Sequence, residues 1–169
     1  LIDIDGNNVN VWEHNNCKPA SIAYLLSDST LIYPCLSSRP IGGRIIKYDW
    51  TGEILWDYTH PNDNHTLHHD IEPLPNGNIL VLAWEVITLE EATSMGRQNI
   101  EGEMWPQVIL ELQPVNFNDA EVVWEWHSWD HTIQDVDSTL TNYGIISEHP
   151  ELIDINIGNL GGTHQGETY

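Results

Sequence analysis

The sequence predicts an all-β chain of repeated antiparallel hairpins, on two observations: a strand–turn–strand pattern that recurs three times, and strong turn signals between the recurrences. The recurring stretches are "LIDIDGNNVNVWEH" (1–14), "IIKYDWTGEILWDYTH" (45–60) and "VILELQPVNFNDAEVVWEWH" (108–127). Each runs from an apolar strand through a polar turn into a second apolar strand. Each then reaches a tryptophan followed by an acid, Trp12-Glu13, Trp56-Asp57 and Trp124-Glu125, and closes on a histidine, His14, His60 or His127. Self-similarity of this kind marks one supersecondary unit used repeatedly.

Along the chain, "DIDGNN" is the turn of the first hairpin. "SIAYLLSDSTLIYPC" (21–35) then places Asp28-Ser29 between two apolar strands, and "HDIEPLPNGNILVLAW" (69–84) does the same with Asn76-Gly77. Asn-Gly is a strong hairpin pair because both residues accept positive φ. Two hairpins in series form a four-stranded antiparallel sheet, the unit of a β-propeller blade. The predicted fold is therefore all-β, with β-propeller-type four-stranded antiparallel blades and about two and a half blades present. The blade-like units run over about 1–41, 42–107 and 108–169, with short helical insertions.

One insertion, "ITLEEATSMGRQN" (87–99), reads as a helix that Thr88 caps, with Glu91 at the capping-box position and Gly96 ending it. The segment after Trp124 is rich in Asp, Asn, Gly and Thr. A helical turn is expected over Ser147 to Asp154, with Ser147 as N-cap and Glu148 in its first turn. Two and a half blades leave unpaired edges, so either further blades exist or copies of the chain supply strands to one another.

The 169 residues suit one domain or part of a larger one. With 26 acidic residues against 5 basic ones, the net charge is −21. That charge repels phosphate backbones and anionic lipid, so neither nucleic acid nor an acidic membrane is an expected partner. No apolar run reaches membrane-spanning length. The start at Leu1, with neither initiator Met nor signal peptide, reads as a mature or trimmed product. Cys17 and Cys35 are the only cysteines, and either a disulfide or two buried thiols suits them. Asn64-His65-Thr66 is an N-glycosylation sequon for a secretory host, with Asn64 the acceptor.

Four candidate ligands, His65, His68, His69 and Asp70, crowd the stretch before the Asn76-Gly77 turn. Imidazole and carboxylate suit zinc, but no helical metal spacing is present, and no metal or other cofactor is expected. Alternation in a strand would point His68 and His69 to opposite faces, and would put Trp124 and Trp126 on one face with Glu125 and His127 on the other. The Asp-rich stretches do not fit a calcium loop, and no nucleophile elbow, P-loop or dinucleotide fingerprint occurs.

Together, "GGRIIKYDWTGEILWDY", "HHDIEPLPNGNILVLAWE", the Glu-Ala…Gly-Arg insertion, "GEMWPQVILEL", "EVVWEWHSWDHTIQD" and "NYGIISEHPELIDIN" resemble the arylsulfotransferase-like β-propeller family, in family order from Gly42 to Asn156. The resemblance implies a six-bladed propeller, extracellular or periplasmic. It also implies an enzyme that moves a sulfuryl group between phenols through a histidine, without a nucleotide sulfate donor. Phenolic sulfates and phenols are then the small-molecule partners.

Carried over by position, His69 matches the family's first active-site histidine, with His68 as the alternative register. His164 in "GGTH" matches a Thr-His position that contacts sulfate, although the flanking Trp and Asn-Ser are replaced here. The nucleophilic histidine and its arginine fall in later blades, so the resemblance implies a chain holding part of the site. In "WEWHSWDH" (124–131), Trp126, Trp129, His127 and His131 read either as an aromatic wall for a phenol or as inter-blade packing. The alternative function is a non-catalytic extracellular module that self-associates through open blade edges.

Overall fold

A computed structural model describes residues 1–13, 16–20, 22–36, 43–61 and 65–157. Contacts divide the chain into two units, residues 1–83 with 110–125 and residues 84–109 with 126–169.

In the first unit the leading sheet contains β1 (Lys18–Pro19), β2 (Tyr24–Leu25), β3 (Leu31–Leu36), β4 (Arg44–Tyr48) and β5 (Ile54–Thr59). Its order is β1-β3-β4-β5, with β2 also on β3. Both short strands pair antiparallel with the same strand, Lys18 opposite Leu36 and Tyr24 opposite Ile32. They act as one interrupted edge strand, so the sheet is four strands wide. β3 is buried from Ile32 to Cys35, as a strand covered on both faces must be. Around it Cys17, Tyr33, Cys35, Ile46 and Tyr48 form a core against which Trp12, Leu31 and Ile54 pack. Cys17 and Cys35 are joined as a disulfide inside that core.

The second sheet has the order β6-β7-β8-β9, from β6 (His65–Pro73), β7 (Ile79–Glu85), β8 (Gln107–Asn116) and β9 (Asp119–His127). The hairpins at 45–60 and 108–127 thus join the strands before them. The insertion between β7 and β8 does not separate those strands, because its neck is closed. Ile87 and Met104 exchange backbone hydrogen bonds of 2.9 and 2.8 Å, and Glu85 N donates to Pro106 O at 3.1 Å.

The turns follow their residues. The Asp49 carboxylate accepts from Thr51 N and Glu53 N, both at 2.8 Å, and Gly52 supplies the positive φ of 90°. The first turn repeats the scheme: the Asp3 carboxylate accepts from Asp5 N and Asn7 N at 3.0 and 2.8 Å, with Gly6 at φ 83°. Ser29 takes φ 64° in the Asp28-Ser29 turn. At Asn76-Gly77 only Gly77 has positive φ, because Leu74 N bonds to Asn78 O and the loop holds three residues.

Trp12 donates its indole N–H to Asp49 O at 2.7 Å, and Trp56 donates to Asp119 O at 3.1 Å. In both cases the tryptophan of one repeat reaches the turn region of the next.

The second unit carries the helix α1 (Leu89–Ser94), two 3₁₀ turns (Ser128–His131 and Ile146–Glu148), and the parallel pair β10 (Thr132–Ile133) and β11 (Ile153–Asp154). The Thr88–Glu91 capping box forms as the sequence predicts, and Gly96 follows the helix at φ 88°. The expected cap at Ser147 does not form. Ser147 lies inside the 3₁₀ turn, whose N-cap is Ile145 and makes no side-chain bond. The chain there is already fixed by Gly144 N donating to Gln134 O at 2.9 Å.

Candidate functional site

β6 does not hold its alternation through the histidines. Leu67 and His68 are both buried, and His69 takes φ 55°, a left-handed conformation within a strand. The reversal at His69 leaves that ring exposed beside the buried one. The two rings meet edge to face, with Nδ1 of His68 2.9 Å from Nδ1 of His69. An Nδ1–Nδ1 contact at that distance holds one proton between the rings, one nitrogen donating and the other accepting. The pair therefore coordinates its tautomers: when His68 donates, the N–H of His69 lies at Nε2. When His69 donates from Nδ1, its Nε2 is a lone pair.

Elsewhere in the first unit, a cleft of about 480 Å³ is lined by Ile32, Lys47, Trp56, Leu74, Asn78 and Val115. None of the predicted site residues lines it. Its turn residues are tied down by Glu111, which accepts from Asn76 and Asn78 side chains at 3.2 and 2.5 Å.

The second unit contains the aromatic candidates. Trp126 stacks on His131 at 4.9 Å with the planes 16° apart. His127 Nδ1 lies 2.9 Å from Glu85 Oε2, with both side chains mostly buried. Trp129 packs on the cluster of Ile87, Ala92 and Met104. It also walls a pocket of about 150 Å³ shared with Arg97, Met104, Trp105 and Ile155.

Arg97 is the feature the sequence reading passed over. It is 4% exposed, and its guanidinium donates through NH1 to the carbonyls of Ile155 and Ile157. Its Nε has no partner among the described residues. Burial draws the Arg97 pKa below the ordinary range, against the attraction of Asp154. Arg97 shares the lining of that pocket with the indoles of Trp105 and Trp129. The only sequence signal was an arginine directly after the glycine that ends a short helix.

The alternation expected for 124–127 is not what β9 shows: Trp124 and Glu125 are exposed, and Trp126 and His127 are half-buried. Paired burial replaces strict alternation where the strand end enters the second unit's packing. Asn64, His14 and His164 lie outside the described residues. Among the described residues, no helix is long and apolar enough to cross a membrane.

No curated protein and no solved structure matches the chain significantly. Residues 2–154 match the family arylsulfotransferase (ASST), so nearly every element described above falls within the match, and the chain belongs to that family.

Proposed function

We propose that the protein takes part in sulfuryl transfer between phenols, with His69 binding a sulfuryl oxygen through an N–H of its exposed ring. The family match supports the reaction class, and the proton-sharing pair of His68 and His69 is the observation that carries the residue assignment. In such a transfer an imidazole nitrogen attacks the sulfur of the aryl sulfate, forming N–S as S–O breaks, and the phenolate departs and gains a proton. A second phenol then loses its proton, attacks the same sulfur and releases the imidazole. N–H donors toward the sulfuryl oxygens stabilise charge in both steps. His69 serves as such a donor, and His68 sets its tautomer.

His164 remains a second candidate of the same kind. Trp129, in the wall of the Arg97 pocket, is the candidate for phenol contact, and Trp126 with His131 offers a second aromatic surface. His127, held by Glu85, is assigned to orientation. The Cys17–Cys35 disulfide supports an extracellular or periplasmic location, where disulfides persist.

The test is transfer from p-nitrophenyl sulfate to phenol by the complete gene product, followed by p-nitrophenolate release. His69→Gly keeps the left-handed backbone and removes the ring, and it is expected to lower transfer at least about tenfold. Undiminished transfer removes His69 from the site.

A further inference from the structure

Arg97 is a buried cation whose bonding is unfinished. Its NH1 donates to the carbonyls of Ile155 and Ile157. Its Nε has no partner, and the guanidinium forms no ion pair among the described residues. A guanidinium keeps its charge at any ordinary pH, so it cannot answer burial by losing a proton as a lysine can. Buried charges are as a rule paired, because an unpaired one is costly. Asp154 attracts Arg97 from beyond ion-pair distance, and its carboxylate already accepts from Asn156 N at 2.8 Å.

The pocket of about 150 Å³ that Arg97 lines narrows the choice of counter-ion. Arg97 is its one cation, and Met104, Trp105, Trp129, Ile155 and Ile157 make most of the rest apolar. Two further donors in the lining are already spent: the Trp105 indole donates to Glu103 at 3.1 Å, and the Thr132 hydroxyl to Trp129 O at 3.0 Å. A cavity of this volume holds about one benzene ring, which sets the size of the apolar body. Asp154 in the lining and the net charge of −21 both oppose a dianion. One negative charge balances one guanidinium, and a planar carboxylate matches its fork.

We propose that this pocket binds a small organic carboxylate of about ten or fewer heavy atoms, with its oxygens on the Arg97 guanidinium and its apolar body against Trp105 and Trp129. The site is separate from sulfuryl transfer. Trp129 also lines a second cleft of about 570 Å³ with Tyr143 and His149, so the phenol contact assigned to it does not need the Arg97 pocket. The pocket is walled by three stretches of chain, 97–107, 128–132 and 153–157. A bound carboxylate therefore ties the insertion to the segments that close over it, and it stabilises the second unit by mass action.

The experiment is calorimetric titration of the whole chain with sodium benzoate at pH 7 and about 0.1 M salt. One-to-one binding with Kd of about 0.1–1 mM is expected for a ligand of this size. Benzamide, the neutral molecule of the same shape, should bind at least about tenfold more weakly, and inorganic sulfate should not saturate below about 10 mM. Arg97→Gln should abolish benzoate binding. Because that variant also loses bonds to Ile155 and Ile157, a second one leaves Arg97 untouched: Ile157→Asp, at a position 61% exposed, should melt like the parent and weaken benzoate at least about threefold. Absence of saturable benzoate binding overturns the proposal, as does benzamide binding equally well or sulfate binding better. So does displacement of benzoate by p-nitrophenyl sulfate, which would return the pocket to the transfer reaction.

Discussion

Arg44 and Asp57 form a fork-to-fork ion pair between adjacent strands, Nε to Oδ1 and NH2 to Oδ2, both at 2.6 Å. Each side chain is about three-quarters buried, and the guanidinium also reaches Asn16 O at 3.2 Å. The carboxylate holds the Arg44 pKa above its ordinary value, the hydrogen bonds being the main cause. Arg44→Lys keeps the charge but loses the planar fork, and it is expected to cost about 1–2 kcal/mol in urea unfolding. Asp57→Asn in the same background should cost much less than it does alone.

The Cys17–Cys35 disulfide closes a loop with a sequence separation of 18 inside the first core. Replacing both cysteines by alanine is expected to lower unfolding free energy by about 3 kcal/mol, the value for a loop of that length. Reducing agent should lower the melting temperature of the parent and leave the double variant unchanged.

Hydrogen bonds to the Asp49 carboxylate, first from the Thr51 hydroxyl and then from the Glu53 amide, draw its pKa below the ordinary carboxylate value. A folded-state pKa below the unfolded one gives stability that is present above the unfolded pKa and lost as pH falls through the folded one. Asp49→Asn keeps the turn and removes the titration. The parent should melt above the variant at pH 7, and the gap should close as pH is lowered below about 4. A constant gap from pH 7 to 3 would show that charge at Asp49 is not what the turn uses.

Gly96 combines φ 88° with a close approach to Gln134, whose Cγ would lie 2.9 Å from an added Cβ. Gln134 is fully buried and fully bonded, accepting from Val136 N and Asp137 N at 2.8 Å and donating to Asp137 O at 2.9 Å. It has no slack to yield. Gly96→Ala is expected to destabilise the protein by about 2 kcal/mol or more, and hydrogen exchange should quicken first in residues 134–143.

Local signals were legible in the sequence where a few adjacent residues decide the geometry. Thr88 and Glu91 need only a three-residue spacing to form their box, and Gly6, Gly52 and Gly77 each mark a turn. Strand grouping was less legible, because it depends on which connections close. A unit boundary is expected near residue 107, with 87–99 a helical insertion before it, yet the bridge between Ile87 and Met104 makes that insertion the loop of a hairpin that joins β7 to β8. The kink at His69 was hard to read because histidine is only modestly enriched in left-handed backbone and sits here among strand formers, and simple alternation described the burial only by coincidence. β10 and β11 were missed because two-residue strands twenty positions apart leave no periodic trace. Arg97 was missed because burial of a cation depends on carbonyls supplied by residues 155 and 157.

The long reach of those partners sets an order of maturation. The carbonyls that end helix α1 are satisfied by Asn142 on Met95 and Asn156 on Gly96, at separations of 47 and 60 residues, while Arg97 waits 58 residues for Ile155. On the ribosome, the insertion emerges well before any of these groups exists. It therefore spends that interval with its helix end and its guanidinium in water, and locks only when the last stretch arrives. The second unit is sealed from its C-terminal side, so a stalled or clipped nascent chain would expose this insertion to proteases before any other part of that unit.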